Sequence, residues 1–471
     1  LHRRRHSFPT RRSSDLIAEA GRPDAVANAE AVRSDAQLLG DPISIAEAEN
    51  AIAGAQRARG EHALAAEAYQ RAYFIAEPIG ADDVALIAAT QLVDTIGYQL
   101  SRVEEGLGWA RHAEALLERS GNPPMQAAEL AHRLATVLEA KGDTEAARAS
   151  YERAIALRTE LVGPDHPALG RDWANLGKLL AEHRDLDLAR AAFDEAERIF
   201  IAAYGPMSLQ LAAVYAGRTR VAQLEDDLAA IIDNCERSLA IEEALLPADH
   251  PRIAASLGRL ALAKTQSGAN DEARSLFHRA IAMQRQQGGT SNLRLANSLA
   301  NLAMLELYTE NFARARNHLD EALTIRRALL PPEHVDIAIV LASLGDVMLA
   351  QREFEAALRY YEEVRTLAKG TDLRTRHELT RARIGIGAAQ LELGHPELAR
   401  EPLEAALADP EAEDSDPIAR CELRLGLARV LAESGADRSR AQTLAREAQA
   451  LCREDEARAK PDRKSTRLNS S

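Results

Sequence analysis

The chain has 471 residues, 46% hydrophobic, 28% charged and only 4% aromatic, with a formal net charge of −14. Domains run to about 100–200 residues, so this is either several domains or a repeat array. Few aromatics argue against a large all-β protein, and no run approaches the ~18 apolar residues of a membrane span.

Residues 1–16, LHRRRHSFPTRRSSDL, and 462–471, DRKSTRLNSS, are basic, polar and without helical periodicity. Basic arms for nucleic acid or membrane are one reading. The stronger one is that SFPTRRSSDL and DRKSTRLNSS resemble in-frame translations of sequencing-adapter DNA, so both ends are expected to be non-native. They carry +4 and +2, which leaves the rest of the chain at −20. Such acidity disfavours nucleic acid and anionic membrane as partners. Cys235, Cys421 and Cys452 show no paired spacing. This predicts no disulfide framework and a reducing, cytoplasmic setting.

After a helical cap or linker over 17–41, turn residues recur at a fixed interval. Gly121, Gly163, Gly205, Pro247, Gly289 and Pro331 are each 42 residues apart, and His166, His250 and His334 are each 84 apart. Phase-locked punctuation of this kind marks an internal repeat. Each period reads as two amphipathic helices around a tight turn. Pro124, Pro167, Pro206, Pro251 and Pro332 fall near the start of the first helix, where a missing N–H is tolerated.

Small residues share one phase in the first helix: Ala135, Gly177, Thr219, Ala261, Ala303 and Gly345. Ala147, Ala189, Ala273, Ala315 and Ala357 share another in the second, with Ala154, Ala196, Ala280 and Ala322 seven residues on. Between those alanines stands a larger plug: Tyr151, Phe193, Phe277, Leu319 and Tyr361. The first helix carries its own large residues at Trp173, Tyr215, Leu257, Leu299 and Leu341.

Trp173, Leu176 and Gly177, followed by Ala189, Phe193 and Ala196, resemble the tetratricopeptide-repeat signature W-x2-LG-x2-Y…A-x3-F-x2-A, in its long kinesin-light-chain form. Leu180 replaces the signature Tyr. The resemblance covers essentially 42–453 and implies an all-α fold, a right-handed α-solenoid of about ten stacked helix-turn-helix units. Repeats 1–2 over 42–119 are degenerate, with Ala53, Ala65, Tyr69 and Ala72 in phase. Repeats 3–8 over 120–370 hold the 42-residue register, although repeat 5 puts Ile231, Cys235 and Ser238 at the Ala–Phe–Ala positions. Repeats 9–10 and a C-terminal cap occupy 371–453, with Gly387, Ala399, Leu403 and Ala406, then Ala441, Ala445 and Ala448. The polar stretch 409–417, DPEAEDSDP, is the one internal break.

Catalytic patterns are decoys. In GIGAAQ, Gln390 stands where a dinucleotide fingerprint needs Gly, and Gly387 is the small repeat residue. HELTR lacks the second His of a zinc helix. The Arg171–Asp172 pair lacks a kinase loop around it. His166, His250 and His334 are two repeats apart, roughly 20 Å for helices about 10 Å thick, too far for one ion; they predict helix caps instead. Cys235 reads as a buried plug. No enzyme activity, metal, cofactor or small-molecule substrate is expected.

In the resembled family the first helices line a groove that takes peptides or helices. Carried over, repeats 3–5 supply Glu129, His132, Thr136, Arg171, Lys178, Arg220 and Gln223. Repeats 6–8 supply Leu262, Met304, Leu307, Tyr308, Ile339, Asp346 and Leu349. One end would be polar and partly basic, the other apolar. The expected partner is a peptide with an acidic or carboxylate end, met by Arg171, Lys178 and Arg220, and an apolar end.

AEAYQRAYFIAEPIGADD, VEEGLGWARHAEALLERSG, the GPDHP repeats and GAAQLELGHPELAREPLEAAL resemble the C-terminal half of multidomain bacterial serine/threonine protein kinases of myxobacterial type. That resemblance implies a regulatory array with a kinase domain upstream. A stand-alone adaptor, or the sensor array of a regulatory ATPase, are the alternatives.

Overall fold

The computed structural model describes residues 24–459, apart from 289–291, 369, 371, 410–416 and 436. The adapter-like ends, Gly289 and most of the 409–417 stretch therefore lie outside the described residues. Among the described residues there are 21 α-helices and no strand. The chain forms two compact units that divide between Leu245 and Leu246.

The first unit opens with α1 (Ala25–Leu39), followed by the pairs α2 (Pro42–Ala58) and α3 (His62–Ala76), then α4 (Asp82–Asp94) and α5 (Val103–Arg119). A short π-turn, Thr95–Gln99, extends α4. Three regular pairs follow: α6 (Pro124–Lys141) and α7 (Thr144–Val162), α8 (Pro167–Glu182) and α9 (Leu186–Tyr204), α10 (Leu209–Leu224) and α11 (Leu228–Leu245). In the second unit come α12 (Pro251–Gln266) and α13 (Asn270–Gly288), α14 (Leu293–Tyr308) and α15 (Phe312–Leu329), α16 (Val335–Ala350) and α17 (Phe354–Leu367). It ends with α18 (Leu373–Glu392) and α19 (Pro396–Leu407), α20 (Pro417–Glu433) and α21 (Arg438–Ala459). Partners within a pair pack closely, and within each unit successive pairs touch, which is the all-α solenoid the 42-residue period predicts.

Helix starts follow the sequence logic. His166, His250 and His334 each accept the backbone N–H two residues on through Nδ1, at 3.3, 3.2 and 3.1 Å, so all three are N-caps. Pro124, Pro167 and Pro251 occupy the first helical position. Pro206 and Pro332 instead lie in the loops before α10 and α16, whose caps are Ser208 and His334.

The turn inside each pair has a register of its own. Gly142, Arg184, Asp226, Gly268, Glu310, Arg352 and Gly394 all have φ between 55° and 84°. They are spaced 42 residues apart. The turn geometry thus repeats even where the residue is not Gly, at about 1–2 kcal/mol of local strain for a side chain in that region.

The small and large positions interlock as expected. The second-helix alanines of both phases are fully buried, as are Tyr151, Phe193, Phe277 and Tyr361. Phe193 lies between Gly177 and Gly217, whose hypothetical Cβ atoms would stand 3.1 and 2.5 Å from its ring. Tyr361 lies between Gly345 and Gly385 in the same way, at 2.5 and 2.3 Å. In repeat 5, Ser238 keeps the small position, and its hydroxyl donates to the Ala212 carbonyl at 3.1 Å. Cys235 is buried at the plug position.

The cysteines depart from the expectation of no disulfide, and the spacing argument for a reducing setting falls with it. Cys421 on α20 and Cys452 on α21 are joined by a disulfide. They are 31 residues apart, and an antiparallel helical hairpin sets them opposite one another, a pairing no short-range spacing can display.

Candidate functional site

In the first unit the first-helix positions divide into an internal ion cluster and an exposed set. Asp172 on α8 is completely buried, and Arg158 on α7 is nearly so. The Arg158 guanidinium pairs with Asp172 and, at 2.5 Å, with Glu129 Oε2 on α6. Arg133 joins Glu129 at 2.7 Å and Asp94 of α4 at 3.4 Å, and Arg57 of α2 reaches the same Asp94 at 3.5 Å. His132 Nδ1 sits 2.7 Å from Asp172 Oδ1, with the imidazole edge against Tyr151. Burial alone would raise the Glu129 pKa, but the charges of Arg133, Arg171 and Arg158 outweigh it and bring it down to about 2.

Three of the residues expected to face a partner are therefore engaged internally. Glu129 and His132 belong to the cluster, and Thr136 Oγ1 donates to the Arg133 carbonyl at 2.7 Å. Arg171 stands at the rim, half exposed and 3.5 Å from Glu129. Lys178, seven residues on along α8, is exposed, as are Arg220 and Gln223 on α10. α8 and α10 are neighbours, and each carries exposed members of the expected set, Arg171 and Lys178 on α8 and Arg220 and Gln223 on α10.

The sequence reading missed Arg133, Arg158 and Asp172. A signal was present in the register. Arg158, Phe200, Glu242, Gln284 and Arg326 share one phase, and every one is buried. Four repeats after Arg158–Glu129, Arg326 donates to Asn297 Oδ1 at 2.8 Å, the position equivalent to Glu129. A polar residue buried at a phase otherwise open to Phe points to a paired group.

In the second unit Asp346 is also engaged. It accepts the Tyr361 hydroxyl at 2.6 Å and pairs with Arg381 of α18. Burial, reinforced by the Asp346 charge, holds the Tyr361 phenol well above its ordinary pKa, so it remains a donor. Leu307 and Leu349 are partly buried against the core, and Met304 and Ile339 are half-buried. Leu262 and Tyr308 are exposed, Tyr308 by 74%.

A family model described as tetratricopeptide repeat matches residues 126–202, 252–328 and 294–370, and those segments are tetratricopeptide repeats. No curated protein matches. Among solved structures, the chain is similar to a Signal Transduction ATPase with Numerous Domains protein with a tetratricopeptide repeat sensor from Pyrococcus horikoshii. Identity there is 12%, coverage 84% of this chain and 62% of that one, and the TM-score 0.55. It is also similar to kinesin-light-chain TPR-like repeats from Podosopora anserina, at 20% identity over 43% of this chain and 96% of that one, with a TM-score of 0.39. A tetratricopeptide repeat protein from Parabacteroides merdae gives 14% identity over 69% of this chain and 99% of that one, with a TM-score of 0.44. At these identities the likeness is one of fold.

Proposed function

We propose that the chain is a non-catalytic, cytoplasmic scaffold that binds a protein or peptide through exposed first-helix positions. A repeat array offers an extended surface rather than a closed pocket. The supporting observation is the exposure of Arg171, Lys178, Arg220 and Gln223 on the neighbouring helices α8 and α10. Three cationic side chains on an otherwise acidic protein suit a carboxylate-bearing peptide. In the second unit the exposed Tyr308 and Leu262 offer apolar anchors. Glu129, His132, Thr136 and Asp346 support the scaffold from within and are not contacts in this reading.

Selection of a random dodecapeptide library on the immobilised protein tests the proposal. Peptides rich in Asp, Glu or a free C-terminal carboxylate are expected, and the Arg171→Glu/Lys178→Glu variant should reduce their capture at least tenfold. Equal capture by both proteins refutes the assignment.

The finer reading is a regulatory array of a bacterial serine/threonine protein kinase; the sensor of a regulatory ATPase is the alternative, and a free-standing adaptor the third. The genomic DNA upstream of the Ile17 codon discriminates them. An in-frame glycine-rich loop with HRD-type and DFG motifs supports the kinase, a phosphate loop the ATPase, and a nearby start codon the adaptor.

A further inference from the structure

Cys421 lies near the start of α20 and Cys452 towards the far end of α21. Their disulfide therefore joins the open end of the last helical hairpin, opposite the turn between Glu433 and Arg438. Other ties sit nearer the turn: Arg440 holds Glu404 of α19 through two hydrogen bonds, at 2.7 and 2.6 Å, and Arg424 meets Glu447 at 3.3 Å. Beyond Glu447 the apolar contacts form a small cluster of Cys421, Ala448 and Leu451. The two cysteines differ in exposure. Cys421 is 4% exposed, whereas Cys452 is an exposed residue, and both border a shallow groove with Leu425 and Gln449.

We propose that Cys421–Cys452 is a redox-controlled clasp on the terminal repeat, opened by an external dithiol. A thiolate of the dithiol attacks the sulfur of the exposed residue Cys452, forming a mixed disulfide and expelling the Cys421 thiolate, which takes up a proton. The second thiol of the reagent then attacks its own linked sulfur. This releases Cys452 as the thiolate, which is protonated, and leaves the reagent as a cyclic disulfide. Two electrons and two protons pass from the dithiol to the protein. With the clasp open, the described side chains of α21 past Glu447 keep Ala448 and Leu451 as their buried anchors. This end of the helix frays, uncovering Cys421 and Leu451, while the turn end of the hairpin stays closed. A disulfide with an exposed cysteine is the labile, regulatory kind. The clasp does not depend on what the array binds.

Amide hydrogen exchange on the full chain, oxidised with diamide or reduced with dithiothreitol, tests this. Reduction should speed exchange at least tenfold over 445–453 and leave α14–α17 unchanged. The Cys421→Ala/Cys452→Ala variant should exchange like the reduced protein in both buffers. Equal exchange over 445–453 in the two wild-type redox states refutes the clasp. So does alkylation of both Cys421 and Cys452 by iodoacetamide in the diamide-treated protein, which would mean that the bond does not form.

Discussion

Gly345 gives the sharpest test of the packing register. An Ala Cβ there would stand 2.5 Å from Tyr361 Cε1 and 2.6 Å from Cζ. The ring cannot retreat. Its other face meets Gly385, where a Cβ would be 2.3 Å from Cζ, and its hydroxyl is tied to Asp346 at 2.6 Å. Overpacking of this kind costs about 1–3 kcal/mol. Against it stands the helix preference of Ala over Gly, about 1 kcal/mol. The net expectation for Gly345→Ala is a loss of up to roughly 2 kcal/mol. Gly258, inside α12, is the control, since a Cβ there meets nothing within 4 Å. Gly258→Ala should gain up to about 1 kcal/mol. Repeat arrays need not unfold in one step, so the assay is local amide exchange. Gly345→Ala should accelerate exchange in α16–α18 by up to about 30-fold, and Gly258→Ala should slow it in α12. If Gly345→Ala slowed exchange in α16–α18, the interlock between small and large positions would be wrong.

Other perturbations address the ion cluster and the turns. Arg158→Met takes the guanidinium from the fully buried Asp172 and leaves His132 as its neighbour; removing one partner of a buried pair costs about 3–5 kcal/mol, and adding Asp172→Leu should recover much of it, as exchange in α7 and α8 would report. Glu129 titrates near pH 2 in the fold against an ordinary value of 4.5. A depressed carboxylate stabilises above the unfolded pKa and loses that contribution as pH falls through the folded one. Glu129→Gln should therefore cost roughly 3 kcal/mol at pH 7, with the gap to wild type closing between pH 4.5 and about 2; a pH-independent gap in acid-denaturation curves would refute this. Arg352, with φ of 63° and a side chain 79% exposed, should gain about 1 kcal/mol on change to Gly, read as slower exchange at the α16–α17 turn.

Much of the fold was legible because the period forces equivalent residues into equivalent environments. The histidine caps, the buried alanine phases and the aromatic plugs all follow from position within 42 residues. The turn residues Arg184, Glu310 and Arg352 were not legible, since their left-handed conformation is imposed by the helices on either side and not by their own preference. The candidate site was legible only in part. Helical spacing places Glu129, His132 and Arg171 on related faces, but it cannot tell a solvated carboxylate from one gripped by Arg158 across a helix pair. That distinction depends on a contact between residues 29 apart in sequence. The Cys421–Cys452 bond was hidden for the same reason, because its partners meet only once α20 and α21 fold back on each other.

The most direct test of the scaffold account is a footprint. A peptide selected from the dodecapeptide library, carrying a photoreactive group at its acidic end, would be crosslinked to the protein and the site read by mass spectrometry. The account predicts crosslinks to α8 and α10 near Arg171, Lys178 and Arg220. Crosslinks concentrated instead on the second helices, α9 and α11, would contradict it.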